Sequence, residues 1–280
     1  MTEKSKKNTS FHILLKRCIT DYVDKDADSF AVEASYFFIL GMIPFLIFFV
    51  NCLLFVAAPE IHRILAFLSY LPESFAEPLK ENIIRIINGR STLWLFIGLL
   101  VSVWTASRGT SVLIRGMDCI AHGNRNIQSW LAVNLKACFF TVFLVITMIV
   151  SLGLIVFANA IIWVIHSYVF AFPDFFLQLW KWLRYIIPFV VMSLFLSVFY
   201  RWAPDRKYKK FFPLVVVSFI ATVCLLLVTG AYGYYVLHIS NMGVTYGSLI
   251  GLIFLFLWIR LALEVVLFGG VMIHVWSERK

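Results

Sequence analysis

Charge is the scarcest commodity in this sequence: Asp, Glu, Lys and Arg together make up 14% of its 280 residues, against about 25% in an ordinary soluble domain. No charged residue at all occurs between Phe211 and Ile259. Cysteine is also sparse. The five, Cys18, Cys52, Cys119, Cys138 and Cys224, include no close pair, so neither a disulfide framework nor a zinc spacing follows. Several catalytic signatures are missing as well. There is no G-x-x-x-x-G-K-[ST] loop, which excludes ATP hydrolysis through that fold. The six histidines, at 12, 62, 122, 166, 238 and 274, are scattered without an H-x-x-x-H pair or a His/Asp cluster, so a metal-dependent nuclease site has no visible ligands. No G-x-S-x-G nucleophile elbow is present either. The reading is therefore non-enzymatic, with no cofactor and no metal.

What fills the space is apolar. Hydrophobic residues make up 61% of the chain and the mean hydropathy is +0.90, more apolar surface than a soluble core can absorb. The excess is laid out in long uncharged blocks, and about 20 such residues cross a hydrocarbon layer of about 30 Å. The expected fold class is all-α: a polytopic membrane protein of about six transmembrane helices, at 34–58, 93–113, 135–161, 184–200, 212–237 and 246–276. The second and fourth spans are short and reach across if Arg108, Arg184 and Arg201 snorkel to the interfaces. The uncharged run from Phe211 is too long for one helix, and it breaks in the Ser-, Asn- and Gly-containing stretch 238–245.

Residues 1–33 are a polar leader too long for a signal peptide. They carry Phe11, Leu14, Leu15, Cys18, Ile19 and Tyr22 at helical spacing beside Lys16 and Arg17. This amphipathic helix lies on the inner membrane surface or packs on the protein's own loops. The remainder, 34–280, reads as one six-helix domain. Its sizeable outer segment, 59–90, has two apolar-periodic pieces around Leu71 and Pro72 and reads as a pair of short surface helices.

Lys and Arg set the orientation. The loops on the N-terminal side hold 17 of them and those on the other side six, with Arg260 inside a helix. Both termini are therefore expected in the cytoplasm. The same asymmetry accounts for the net charge of +9 as an insertion signal and a contact for anionic lipid at the cytoplasmic face, not a nucleic-acid patch. Membrane lipids are the expected partners, nucleic acid is not, and a homo-oligomer is left open.

Ionisable groups at membrane depth are costly and so are candidates for function. Arg260 and Glu264 stand four residues apart on one face of the last helix. Two readings are open: a buried or interfacial structural pair, or a site touching substrate or a coupling proton. Arg108, Arg115 and Asp118 form a second group. Arg115 and Asp118 share a face, either as a snorkelling anchor with an ion pair or as an inner gate that takes an anionic head group through the Arg fork. Gly243, Gly247 and Gly251 repeat every fourth residue as a close-packing face. Gly230, Gly233, Pro44 and Pro188 supply kinks that pack helices or line a transport path. Asn51 and Asn159 need interhelical hydrogen-bond partners.

Several stretches resemble the YihY/BrkB family of bacterial inner-membrane proteins, some of whose members were once labelled ribonuclease BN. These are AVEASY at Ala31 to Tyr36, LGMIP at Leu40 to Pro44, WTASRG at Trp104 to Gly109, YRWAP at Tyr200 to Pro204, YGSL at Tyr246 to Leu249, Leu257 with Trp258, and LFGG at Leu267 to Gly270. Where family members commonly carry a Glu after the final small pair, this chain has Val271, with Glu264 somewhat earlier. The resemblance implies a membrane location and a role of the kind proposed for some members, in lipid or lipopolysaccharide precursor traffic. The leading reading is a protein that translocates or handles an amphipathic envelope component. The runner-up is an envelope scaffold, and a membrane-bound ribonuclease comes last.

Overall fold

The chain turns from its N-terminal leader into the first long helix at Asp26, whose backbone takes the left-handed conformation (φ 53°) that Asp tolerates better than most residues. Its carboxylate accepts from the Ser29 hydroxyl at 2.7 Å, a side-chain contact across the helix start. A computed structural model describes residues 11–57, 77, 80, 91–123, 128–156, 174–205, 211–238 and 249–278. Among these there are seven α-helices and no strand. They are α1 (Phe11–Asp24), α2 (Ala27–Ala57), α3 (Thr92–His122), α4 (Trp130–Val156), α5 (Asp174–Trp202), α6 (Phe211–His238) and α7 (Leu249–Ser277).

Six of them, α2 to α7, are long and apolar enough to cross a membrane, as the uncharged blocks require. Most outrun the expected spans. α2 starts seven residues earlier than expected and α3 continues to His122 instead of ending at Leu113. The extra turns are not solvated tails: Ile114, Met117 and Ile120 on α3 and Phe30 and Ala31 on α2 are all buried. Helix continues there because the added turns gain packing partners. Of the expected outer segment 59–90, only Glu77 and Lys80 are described, both helical and ion-paired at 2.9 Å. The rest of it, Asn159, and residues 239–245 of the expected break at 238–245 lie outside the described residues.

Two compact units can be distinguished, Met1–Tyr36 with Ser107–Lys280, and Phe37–Ala106. In the first, α4, α5, α6 and α7 pack each on the next, and α1 lies against α7. Aromatic pairs knit the row: Phe140 meets Phe199 edge to face at 5.1 Å, and Phe143 meets Phe195 at 5.3 Å. Between α6 and α7, Tyr232 donates to the Phe254 carbonyl (2.6 Å) and Trp258 Nε1 to Thr229 Oγ1 (3.2 Å). The densest packing gathers at the C-terminal ends of α3, α5 and α7 and the N-terminal ends of α2, α4 and α6, where Tyr200, Phe140, Leu214, Leu267 and Ile273 are shut away.

Glycine makes part of that packing possible. A side chain on Gly269 would collide with the Tyr200 hydroxyl, and one on Gly270 with Met117 Sδ. Tyr200 cannot retreat, because it is fully buried and donates to the Val266 carbonyl at 2.8 Å. The YRWAP and LFGG stretches, distant along the chain, thus interlock, and Tyr200 also bonds Val266, 66 residues on, beside LFGG. Of the expected close-packing face, Gly243 and Gly247 lie outside the described residues, and at Gly251, on an exposed side of α7, an added Cβ would meet nothing within 4 Å among the described residues. Gly230 and Gly233 are equally open.

In the second unit, α2 and α3 meet backbone to backbone. A Cβ on Gly98 would lie 2.9 Å from the Phe48 amide nitrogen and 3.1 Å from the Pro44 carbonyl oxygen. Asn51 finds the partner its place in an apolar helix demands: its Oδ1 accepts from the Ser91 amide at 3.2 Å, and its Nδ2 donates to the Ile47 carbonyl at 2.8 Å.

Candidate functional site: a three-member charge cluster at the start of α2

Arg260 and Glu264 meet as their spacing requires, with Nε donating to Oε1 at 2.8 Å. The second contact of the guanidinium was not foreseen: Nη2 donates to Asp28 Oδ1 at 2.9 Å. Asp28 sits in the first turn of α2, where a carboxylate is also favoured by the unpaired amides of the helix end. One Arg therefore bridges two carboxylates. Nη1 keeps its N–H groups unpaired among the described residues.

This contact also bears on depth. Along α7 alone, the pair could sit at mid-membrane or at an interface. Asp28 brings it level with the beginning of α2, and α7 continues as helix for 13 residues beyond Glu264 to Ser277. The cluster is only partly covered: the side chains of Arg260, Glu264 and Asp28 are 35%, 27% and 53% exposed. On the same stripe of α7, one and two turns toward its N-terminus, Leu257 and Ile253 are exposed, as is Leu261 beside the Arg. A partly open cation thus stands at the foot of an apolar track.

The α1–α2 elbow supplies the opposite wall. Tyr22 packs on Phe268 (5.9 Å between ring centroids), and its hydroxyl is buried without a hydrogen-bond partner among the described residues. Burial, with the Glu264 and Asp28 carboxylates next in weight, pushes that phenol well above its ordinary range. Lys25 donates to the Ile120 carbonyl at 2.6 Å, an amine on the last turn of α3 where a cation suits the helix end. Burial pulls the Lys25 amine below the usual lysine range. Arg17 pairs with Glu278, which also meets His274 Nε2 at 3.2 Å. Elbow and α7 are fastened at both ends of this contact. Yet α1 is not wholly covered, since Leu15, Ile19 and Val23 stay exposed along one stripe.

The second expected group is built differently from its spacing. Asp118, 1% exposed, turns away from Arg115, and among the described residues no ion pair joins the two. Its carboxylate accepts from Gln128 Nε2 (2.9 and 3.1 Å) and from the Asp205 amide (2.9 Å). Gln128 Nε2 also donates to the Ala203 carbonyl, and Gln128 Oε1 accepts from Lys136 at 2.7 Å. The i,i+3 spacing permitted a pair with Arg115. A buried carboxylate, however, needs several donors, and the connections just before α4 and just after α5 provide them. Arg108 and Arg115 lie two turns apart on a common stripe, both half-buried. Among the described residues no group of three His, Cys, Asp or Glu side chains is placed to hold a metal ion.

These features define a class: an α-helical, multi-pass membrane protein with a clustered charge site and no soluble domain among its described residues. The particular family follows from comparison. A sequence model of the family described as "Virulence factor BrkB" matches residues 18–280, and the chain belongs to that family. It is also 28% identical, over 266 residues covering 95% of this chain and 96% of the other, to YfkH of Bacillus subtilis (strain 168), whose name describes it as ribonuclease-like. No solved structure matches significantly.

Proposed function

We propose that this BrkB-family protein lies in the bacterial cytoplasmic membrane with both termini inside, and binds and carries an anionic amphipathic envelope lipid across it. The observation that carries this reading is the junction on α7: exposed Ile253, Leu257 and Leu261 run into the partly open Arg260. An acyl chain suits the first part, and the planar guanidinium fork suits a phosphate or carboxylate. The orientation rests on the 17-to-six division of Lys and Arg, and the basic inner loops add attraction for anionic lipid. Arg108 and Arg115, on their common stripe, are proposed as a second head-group contact on the inner side. The competing reading, an envelope scaffold, draws on the exposed Leu15, Ile19 and Val23 stripe of α1.

Transbilayer movement separates the two readings. In proteoliposomes holding a head-group-accessible fluorescent phosphatidylglycerol, the protein should accelerate exposure of inner-leaflet label to an added quencher, and Arg260→Gln should slow it severalfold. A rate equal to that of protein-free liposomes would leave the scaffold.

A further inference from the structure

We infer that Asp28 is an internal stand-in for the lipid head group: it occupies Arg260 until a monoanionic phospholipid displaces it, and its displacement frees the α1–α2 elbow from α7. This rests on the proposed lipid site and names both its ligand class and its regulation. Three observations carry it.

The two carboxylates on Arg260 are not equivalent. Glu264 is one turn along the same helix, 27% exposed, and held by Nε at 2.8 Å. No rearrangement of the fold could take it far from the Arg. Asp28 comes from a different element, is 53% exposed, meets Arg260 through Nη2 alone, and lies beside the like-charged Glu264 carboxylate. Exposed ion pairs of this kind contribute little, so a competing anion can replace Asp28 at small cost. Glu264 stays in place and neutralises one of the charges throughout.

Charge arithmetic then selects the ligand. With Asp28 seated, the cluster carries one cation and two anions. Once Asp28 leaves for water, Arg260 and Glu264 balance, and a single anionic group restores the original count. A monoanionic phosphodiester such as phosphatidylglycerol fits that exchange one for one. Nη1, unpaired among the described residues, beside the vacated Nη2 offers a forked pair of donors, the geometry that phosphate takes from Arg. A zwitterionic lipid brings its own cation toward Glu264 and gains no such exchange.

The third observation is the elbow itself. Asp28 lies two residues after Asp26, whose left-handed backbone (φ 53°) makes the corner. The elbow's other fastenings, Lys25 on the Ile120 carbonyl and Tyr22 on Phe268, flank the cluster. Losing the Asp28 contact therefore removes, among the described residues, the one charged tie between the first turn of α2 and the middle of α7. A ligand arriving on Arg260 reports directly to the segment that packs α1 against α7.

The test is lipid binding by native mass spectrometry of the full-length, detergent-purified protein, with short-chain phosphatidylglycerol as probe and short-chain phosphatidylcholine and inorganic phosphate as controls. Wild type should bind phosphatidylglycerol selectively. Asp28→Asn, which removes the competing charge and keeps the shape, should bind it roughly threefold tighter, the size expected for losing one exposed ion pair. Asp28→Glu, which keeps the charge, should bind like wild type and so separates competition from any folding defect. Arg260→Gln should bind about tenfold more weakly. In wild type, phosphatidylglycerol should also speed amide hydrogen exchange in the segment from Asp24 to Ser29. If Arg260→Gln loses the lipid but Asp28→Asn binds no tighter, the stand-in role is wrong and the lipid site survives. If phosphatidylglycerol binds Arg260→Gln as well as wild type, or phosphatidylcholine and free phosphate bind equally well, the site itself fails and the stand-in role falls with it.

Discussion

Asp118→Asn is the substitution whose cost follows most directly from the structure. The carboxylate is 1% exposed and accepts one bond from Gln128 Nε2, bifurcated over both its oxygens, and one from the Asp205 amide. Asn is nearly isosteric and can still accept from the Asp205 amide with its oxygen. Its NH2 then faces the NH2 of Gln128. Turning the Gln128 amide over does not relieve this clash, because Gln128 Oε1 already accepts from Lys136 at 2.7 Å and Nε2 is needed at the Ala203 carbonyl. At least one charge-assisted bond is therefore lost outright and one donor left facing another. Hydrogen bonds to charged groups contribute about 1.5–3 kcal/mol each, and a stranded buried donor costs about 1–3 kcal/mol. The two overlap, so a loss of about 2–4 kcal/mol is expected. Equilibrium unfolding in bicelles measures it, with Gln128→Leu and the double variant completing a cycle. The coupling between the two positions should exceed about 1 kcal/mol, as contacting members of one network do. A loss under about 0.5 kcal/mol for Asp118→Asn, the range of ordinary surface changes, would refute the reasoning.

The glycines give a sharp contrast within one helix. Gly269→Ala should destabilise by about 1–3 kcal/mol, because Tyr200 is fully buried and cannot yield. Gly270→Ala should cost less, since it meets the flexible Met117, and Gly251→Ala, in open space, should be neutral or stabilising by up to about 1 kcal/mol. Thermal aggregation in detergent ranks the three. Topology is checked in a background free of the five native cysteines: an impermeant maleimide applied from outside should label a cysteine at Glu77 but not one at Asp205, and the reverse pattern would invert the orientation. Purified protein supplied with Mg²⁺, Mn²⁺ or Zn²⁺ should leave structured RNA intact. Cleavage that disappears in a point variant of this chain would revive the ribonuclease reading.

Local features of this protein were legible in its sequence and non-local ones were not. Six apolar helices follow from the length and lack of charge of each block. The Arg260–Glu264 contact follows from four-residue spacing on one helix. Asp28, 232 residues from Arg260, left no periodic signal. A carboxylate in the first turn of the first long helix was nonetheless a reason to look for its counter-charge. Asp118 misled for the same reason: spacing shows which partners are permitted, and burial decides which are used. Its true partners, Gln128 and Asp205, come from connections between helices, where sequence periodicity is silent. Glycine spacing did not single out the close approaches. Gly251 belongs to a regular repeat, yet a Cβ there would touch nothing among the described residues, whereas Gly269 and Gly270 matter because an aromatic hydroxyl and a thioether from other helices approach them. Both halves of the Tyr200–Gly269 contact were visible as separate family-like stretches, and only the fold shows them touching.

The most direct measurement of the central claim is photo-crosslinking in native membranes from position 257. Leu257 is exposed on the same stripe of α7 as Arg260, and a benzophenone amino acid placed there reports what lies along the apolar track. Phospholipid adducts enriched in anionic head groups relative to the bulk membrane are expected, with that enrichment abolished by Arg260→Gln while total crosslinking persists. Adducts whose head-group composition matches the bulk membrane in both proteins would contradict the claim.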